Sequence, residues 1–162
     1  MNTSKHQPDF DRRTRTKKEI KQLIAERNNV LAQYYGLTNC VDTTNDVESF
    51  KELLQEFCQD MVDYIATGHF EIYRRIEDGI ERRNEILELS DEAFKKIINT
   101  TKAAINFNDL YDFSGEINPD TLKNFPNQLS ELGQNLAIRI ELEDRFINTL
   151  LTPKPRLAYS SH

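Results

Sequence analysis

The stretch DVESFKELLQEFCQDMVDYIATGHF, Asp46–Phe70, decides the fold. Val47, Phe50, Leu53, Leu54, Phe57, Met61, Tyr64 and Ile65 recur at three- and four-residue spacing, so they fall on one broad face of a helix. Asp46 or Thr44 can cap its start by accepting a bond from a first-turn N–H. The spacing predicts a helix over 46–66. Thr67, Gly68 and His69 then interrupt it, and an apolar pattern resumes at Phe70 in a third helix carrying Ile72, Tyr73, Ile76 and Ile80.

The pattern repeats on either side. A helix is predicted from Thr16 to Tyr35, with Ile20, Leu23, Ile24, Val30, Leu31, Tyr34 and Tyr35 as its stripe, a stop at Gly36 and a loop through LTNCVDTTND. Ser90 and Asp91 mark the start of a fourth helix reaching Tyr111, with Phe94, Ile97, Ile98, Ala104, Ile105 and Phe107 as its apolar set. Asn118–Pro119 is a good helix entry, because proline at the first position gives up no needed hydrogen bond. Pro126 restricts Phe125, so a kink or a restart is expected there. A last helix runs from Asn127 to Leu151, with Leu129, Leu132, Leu136, Ile140, Phe146, Ile147, Leu150 and Leu151. Four long one-striped helices plus shorter pieces bury their stripes together, so the fold class is all-α, an antiparallel helical bundle. The expected organisation is a mobile N-terminal arm over 1–15, a single bundle domain over 16–151 and a disordered tail over 152–162.

Bulk properties narrow the function. The 162 residues suit one domain that buries roughly 70% of its unfolded surface without a stapling metal or disulfide. No apolar run approaches the ~20 residues of a membrane span, and the N-terminus lacks the apolar centre of a signal peptide. With only Cys40 and Cys58, the expectation is a reduced, cytoplasmic protein. The net charge of −6 is uneven. Residues 1–30 hold eight Lys/Arg and four Asp/Glu, a net of +4, which leaves −10 for the rest. An acidic body disfavours a phosphate backbone and favours a basic partner. The basic tract reads as a solvated tail, so no direct DNA binding is expected.

Catalytic constellations are missing from the sequence. A di-metal bundle needs Glu-x-x-His pairs, but Thr3, Ala66 and Tyr159 stand three residues before the three histidines. Cys40 and Cys58 lack zinc spacing, and no phosphate-binding glycine motif occurs. No metal, cofactor or enzymatic activity is therefore expected. Cys58 reads as a core filler, and His69 as a helix-junction residue bonding a backbone carbonyl. Tyr34, Tyr35, Tyr64 and Tyr73 read as core or core-edge residues with wet hydroxyls. Arg139 and Glu143, four apart, read as a solvated pair along one helix, with an interhelical pair at the bundle rim as the alternative. Asp63 interrupts the run Met61–Ile65, and Phe70 lies seven residues on. Beside the small Ala66 they form either a notch for a basic amphipathic segment or a plug and cap in the protein's own core.

The segment FCQDMVDYIATGHFEIYRRI (Phe57–Ile76) closely resembles the signature of the regulator of sigma D, or Rsd/AlgQ, family. LAQYYGL (Leu31–Leu37) and LAIRIELEDRFI (Leu136–Ile147) resemble two further family blocks in the same order. The resemblance implies an all-α bundle that binds the primary sigma factor of RNA polymerase. It implies a grip on the domain that reads the −35 promoter element, which interferes with its use by polymerase. It places the partner contact at Asp63, Ala66 and Phe70, where the family commonly has Ser in place of Ala66. A helical adaptor that binds another signalling protein or enzyme through the same acidic surface is the alternative.

Overall fold

The computed structural model describes residues 7–43, 46–70, 84–112 and 119–151. They form α1 (Gln7–Thr43), α2 (Val47–Gly68), α3 (Asn84–Leu110), the short α4 (Pro119–Lys123) and α5 (Phe125–Leu151). No strand occurs among them. The four long helices close a ring in which α1 packs on α2 and α3 on α5, while α2–α3 and α1–α5 contacts complete the circuit. Neighbours run antiparallel. Phe94 meets Phe146 and Phe107 meets Phe125 between α3 and α5. Tyr34 and Arg27 of α1 reach Leu129 and Asp144 of α5 in the same reversed order. The all-α bundle is therefore as the stripes require.

Helix α1 differs from its expected limits at both ends. It starts at Gln7 rather than Thr16, so residues 7–15 of the expected arm are helical. Pro8 stands in the first turn, where proline is tolerated, and no glycine intervenes before Gly36. Gly36 does not stop the helix. One glycine costs only about 1 kcal/mol, and the next residue, Leu37, is buried in the core. The helical chain continues to Thr43, through most of the segment expected as a loop, and the Thr38 hydroxyl donates to the Tyr35 carbonyl at 2.8 Å.

Helix α2 begins where its cap requires. The Asp46 carboxylate accepts the Ser49 hydroxyl and the N–H groups of Ser49 and Glu48. The bonds from Ser49, hydroxyl first, hold that carboxyl below its ordinary value. The interruption expected at Thr67–His69 is a change of helix type rather than a break: the α-helix ends at Gly68, and His69 and Phe70 continue it as a π-helical turn. The helix runs through Gly68, and His69 keeps helical angles (φ −62°, ψ −51°) with its N–H on the Ile65 and Ala66 carbonyls. The third predicted helix lies outside the described residues beyond Phe70, as do Tyr73 and the C-terminal tail. Helix α3 starts at Asn84, so Ser90 and Asp91 are interior residues rather than a cap. Pro119 opens α4 as expected, and Pro126 occupies the first turn of α5.

The core is one cluster. Leu23 and Val30 of α1 meet Leu54, Phe57 and Met61 of α2, Ala104 and Phe107 of α3, and Leu132, Leu136 and Phe146 of α5. One end is aromatic. Phe125 packs edge-on against Phe50 at 5.1 Å and Tyr111 at 5.2 Å, and Phe107 does the same to Phe57 at 6.1 Å. Several apolar residues assigned to the stripes are exposed instead, namely Tyr35, Val47, Leu53, Ile98, Ile105 and Leu151. The stripes as counted were wider than the arc that a four-helix ring can cover.

Cys58 is buried beside this aromatic end, and its thiol is pushed up to about 12 by burial and then by the Asp112 carboxylate. Burial therefore disfavours the Cys58 thiolate, which is the reactive form, and shields it from reagents. Cys40 is half-buried, and neither cysteine is in a disulfide. In native protein, iodoacetamide is expected to modify Cys40 alone, with Cys58 reacting only after denaturant is added. Mass spectrometry of quenched time points checks this.

Gly133 of α5 lies directly against the Tyr34 side chain of α1. The Tyr34 hydroxyl donates to the Leu129 carbonyl at 2.9 Å, and a Cβ on Gly133 would stand 2.2 Å from that hydroxyl oxygen. Gly133→Ala should gain about 1 kcal/mol of helix propensity, yet overpacking against a held ring costs about 1–3 kcal/mol. The expected result is a lower urea midpoint. In a Tyr34→Leu background the sign should reverse, and equal effects in both backgrounds would refute the clash.

Candidate partner-binding surface

Asp63 and Ala66, three residues apart, share one outward face of α2, and Phe70 follows in the π-helical turn just beyond its end. Asp63 is exposed, Ala66 half-buried, and Phe70 is 59% exposed at the end of α2. Phe70 does not plug the core. Its ring meets only the exposed His69 ring edge-on at 5.3 Å among the described aromatic contacts. The Asp63 carboxylate accepts from the Gln59 amide at 3.1 Å. It caps nothing, because no helix end lies there.

The same face is acidic along its length. Glu48, Glu52, Glu56 and Asp63 are all exposed, and Lys51 is the one basic residue of α2. Asp60 turns away from this face toward α1, where it accepts from Asn29 at 3.0 Å and Gln33 at 2.7 Å. The buried Leu54, Phe57, Met61, Tyr64 and Ile65 set the rotation of α2, and Asp63 falls on the side away from them.

Beneath this surface lies a polar centre that sequence reasoning misread. Arg139 and Glu143 are 1% and 0% exposed, neither solvated nor at the rim. The Arg139 Nε donates to Glu143 Oε2 at 3.2 Å, and its Nη1 donates to the hydroxyls of Thr100 at 3.2 Å and Thr101 at 2.9 Å. Thr100 passes its own proton to the Ile97 carbonyl at 2.7 Å. Tyr64, expected to keep a wet hydroxyl, is fully buried and donates to Glu143 Oε1. The Arg139 guanidinium carbon also stands 5.8 Å from the Tyr64 ring centroid, within cation–π reach. Arg27 completes the set, 2.8 Å from Asp144 and 3.7 Å from Glu143.

The electrostatics follow from burial and pairing. Burial first, then the Glu143 carboxylate, raise the Tyr64 phenol well above its ordinary value, which keeps it a neutral donor. Burial works against the charge on Arg27, but the hydrogen bond and attraction of Asp144, with Glu143, outweigh it and raise its value. Each of the other three long helices thus reaches Arg139 or Glu143: Arg27 from α1, Tyr64 from α2, and Thr100 and Thr101 from α3. The signal was present in the spacing. Leu132, Leu136, Arg139, Glu143 and Phe146 form one three/four-spaced line, and the charged pair stands in its middle. Counting only apolar residues broke that line.

Among the described residues no three His, Cys, Asp or Glu side chains are grouped to hold a metal. No helix of these residues is long and apolar enough to cross a membrane. What the arrangement offers is an acidic outward helix, tipped by an exposed aromatic ring and held by a buried ionic centre one residue away at Tyr64.

Residues 3–151 match the family described as regulator of RNA polymerase sigma(70) subunit, Rsd/AlgQ. The chain is 30% identical over 130 residues to the regulator of sigma D of Pectobacterium atrosepticum, which covers 79% of this chain and 84% of the relative. It is 32% identical over 136 residues to the regulator of sigma D of Salmonella arizonae, covering 80% of each. No solved structure matches the chain. With a family match that takes in all four long helices and the polar centre between them, the chain belongs to the Rsd/AlgQ family of RNA polymerase sigma-subunit regulators.

Proposed function

We propose that this sigma-factor regulator binds the domain of the primary sigma factor that reads the −35 promoter element, and that it does so through the outward face of α2. The observation that carries the reading is Phe70, 59% exposed at the end of a helix face bearing Glu52, Glu56 and Asp63. A promoter-reading helix-turn-helix is basic because it expects phosphates. Carboxylates offered to the same Lys and Arg side chains steer encounter and compete with DNA. Steering alone gives on-rate more than affinity, so an apolar anchor is needed, and Phe70 supplies it. The small Ala66 between the two lets a partner helix come close. Binding, with no chemical step, is sufficient to withhold the domain from polymerase.

The test is a titration of the isolated promoter-reading domain of the same organism's primary sigma factor with this chain, by calorimetry at low and at moderate salt. A 1:1 complex that weakens as salt rises is expected, because the rim charges are screened. No complex at tens of micromolar, on the order of a weak interface, overturns the proposal.

A further inference from the structure

Ile98 and Ile105 of α3 are 48% and 46% exposed, although Ala93, Ile97, Ala104 and Phe107 of the same helix line the core. Seven residues apart, they project from one face about 10 Å apart along the axis. Their position round the helix is fixed by what the rest of α3 does. Lys96 and Asn99 line an open groove of about 320 Å³ against Asn135 and Ile138 of α5. At 100° per residue, Ile98 and Ile105 fall on the opposite flank of α3. Its other long neighbour is α2, so that flank is turned toward α2.

Their level along the bundle is fixed as well. Phe57 of α2 meets Phe107 of α3 at 6.1 Å. Seven residues on, Tyr64 lies under Arg139, which donates to Thr100, seven residues back from Phe107. In this antiparallel register Ile98 stands level with Ala66, and Ile105 with Gln59. Asp60 marks the α1-facing flank of α2, so the half-buried Val62 and Ala66 occupy the side between the two helices. Packed helices lie 8–10 Å apart. Ile98, Ile105, Val62 and Ala66 therefore form one continuous apolar strip. It is edged by Glu52, Glu56 and Asp63 on α2 and by the exposed Lys95 and Lys102 on α3. An apolar strip with a polar rim on both sides is the form of a protein docking surface.

We infer that the partner surface spans two helices: Ile98 and Ile105 complete the face begun by Asp63, Ala66 and Phe70, and the basic promoter-reading domain lies across both. This rests on the function proposed above. The opposite charge of the two edges fixes the partner's orientation. Its DNA-reading basic side faces α2, and an edge carrying acidic side chains faces Lys95 and Lys102. Reversed docking would set its Lys and Arg side chains against those lysines.

The experiment compares the unaltered chain with Ile98→Asp/Ile105→Asp, with the milder Ile98→Ser/Ile105→Ser, and with Ile138→Asp. Ile138→Asp alters an equally exposed isoleucine on α5. Each is titrated with the isolated promoter-reading domain after its thermal midpoint is measured. The inference expects at least a tenfold loss of affinity for the Asp pair, a smaller loss for the Ser pair, and less than a twofold change for Ile138→Asp. Should the Asp pair fail to fold, the Ser pair carries the result. Double variants that bind within twofold of the unaltered chain, while Phe70→Ala binds weakly, overturn the inference and leave the α2 reading standing. An equal loss from Ile138→Asp also overturns it. No binding by the unaltered chain removes both.

Discussion

Arg139→Leu is expected to cost about 3–5 kcal/mol of folding stability, because it leaves the buried Glu143 without its hydrogen-bonded cation and with only Arg27, 3.7 Å away. Domains of this size are stable by only about 5–15 kcal/mol, so that loss is a large fraction of the whole. The mechanism makes a second, sharper claim. If the penalty comes from an orphaned charge, then removing the charge as well should restore much of the stability. Arg139→Leu/Glu143→Leu/Tyr64→Phe replaces the centre by apolar groups and leaves no phenol without an acceptor, and such replacements are often neutral or stabilising. The triple variant should therefore be more stable than Arg139→Leu alone, by about 2 kcal/mol or more. Urea unfolding of both variants and the parent checks this. A triple variant at or below the single variant would show that Arg139 acts through its packing on Tyr64 and the threonines rather than through Glu143. The same centre has a pH signature. Tyr64 titrates higher in the folded chain than in the unfolded one. The stability it contributes is complete below the unfolded value near 10 and is lost as pH rises beyond it.

That centre also shows where reading the sequence succeeds and where it stops. Bundle architecture, the Asp46 cap and the Pro119 entry all follow from local rules, because spacing and capping are properties of a single helix. Leu54, Phe57 and Met61 were recognisable as core for the same reason. Arg139 and Glu143 were not, since whether an i,i+4 pair is solvated or buried depends on which side of α5 the other three helices occupy. Gly36 was overread as a stop, and Gly68 marks a change of helix type rather than a break. A glycine's cost near 1 kcal/mol is easily offset when its neighbours, Leu37 on one helix and Tyr64 and Ile65 on the other, are buried. Phe70 was undecidable in principle. A phenylalanine seven residues after Asp63 can face the core or the solvent, and the choice depended on α2 continuing through Gly68. Had the helix broken there, the ring would have been free to turn inward.

The outward ring leads to the second large expectation. Phe70→Ala should weaken binding of the promoter-reading domain by about 2 kcal/mol or more, roughly 30-fold, if Phe70 anchors the contact. Stability should move by no more than about 0.5 kcal/mol, because the side chain is 59% exposed and its one aromatic contact among the described residues is with the exposed His69. The pairing of a large affinity change with an unchanged unfolding midpoint separates a docking residue from a structural one. Asp63→Lys should behave differently. It reverses a rim charge, so it should slow association and reduce the salt dependence, with a smaller effect on dissociation. Stopped-flow association and dissociation rates for both variants, at two salt concentrations, resolve the division. A folded Phe70→Ala chain with the parent's dissociation rate would remove the anchor and leave an attraction of charges alone. Such an attraction fades within about 8 Å at physiological ionic strength, which is too little to hold a promoter-reading domain away from its phosphates.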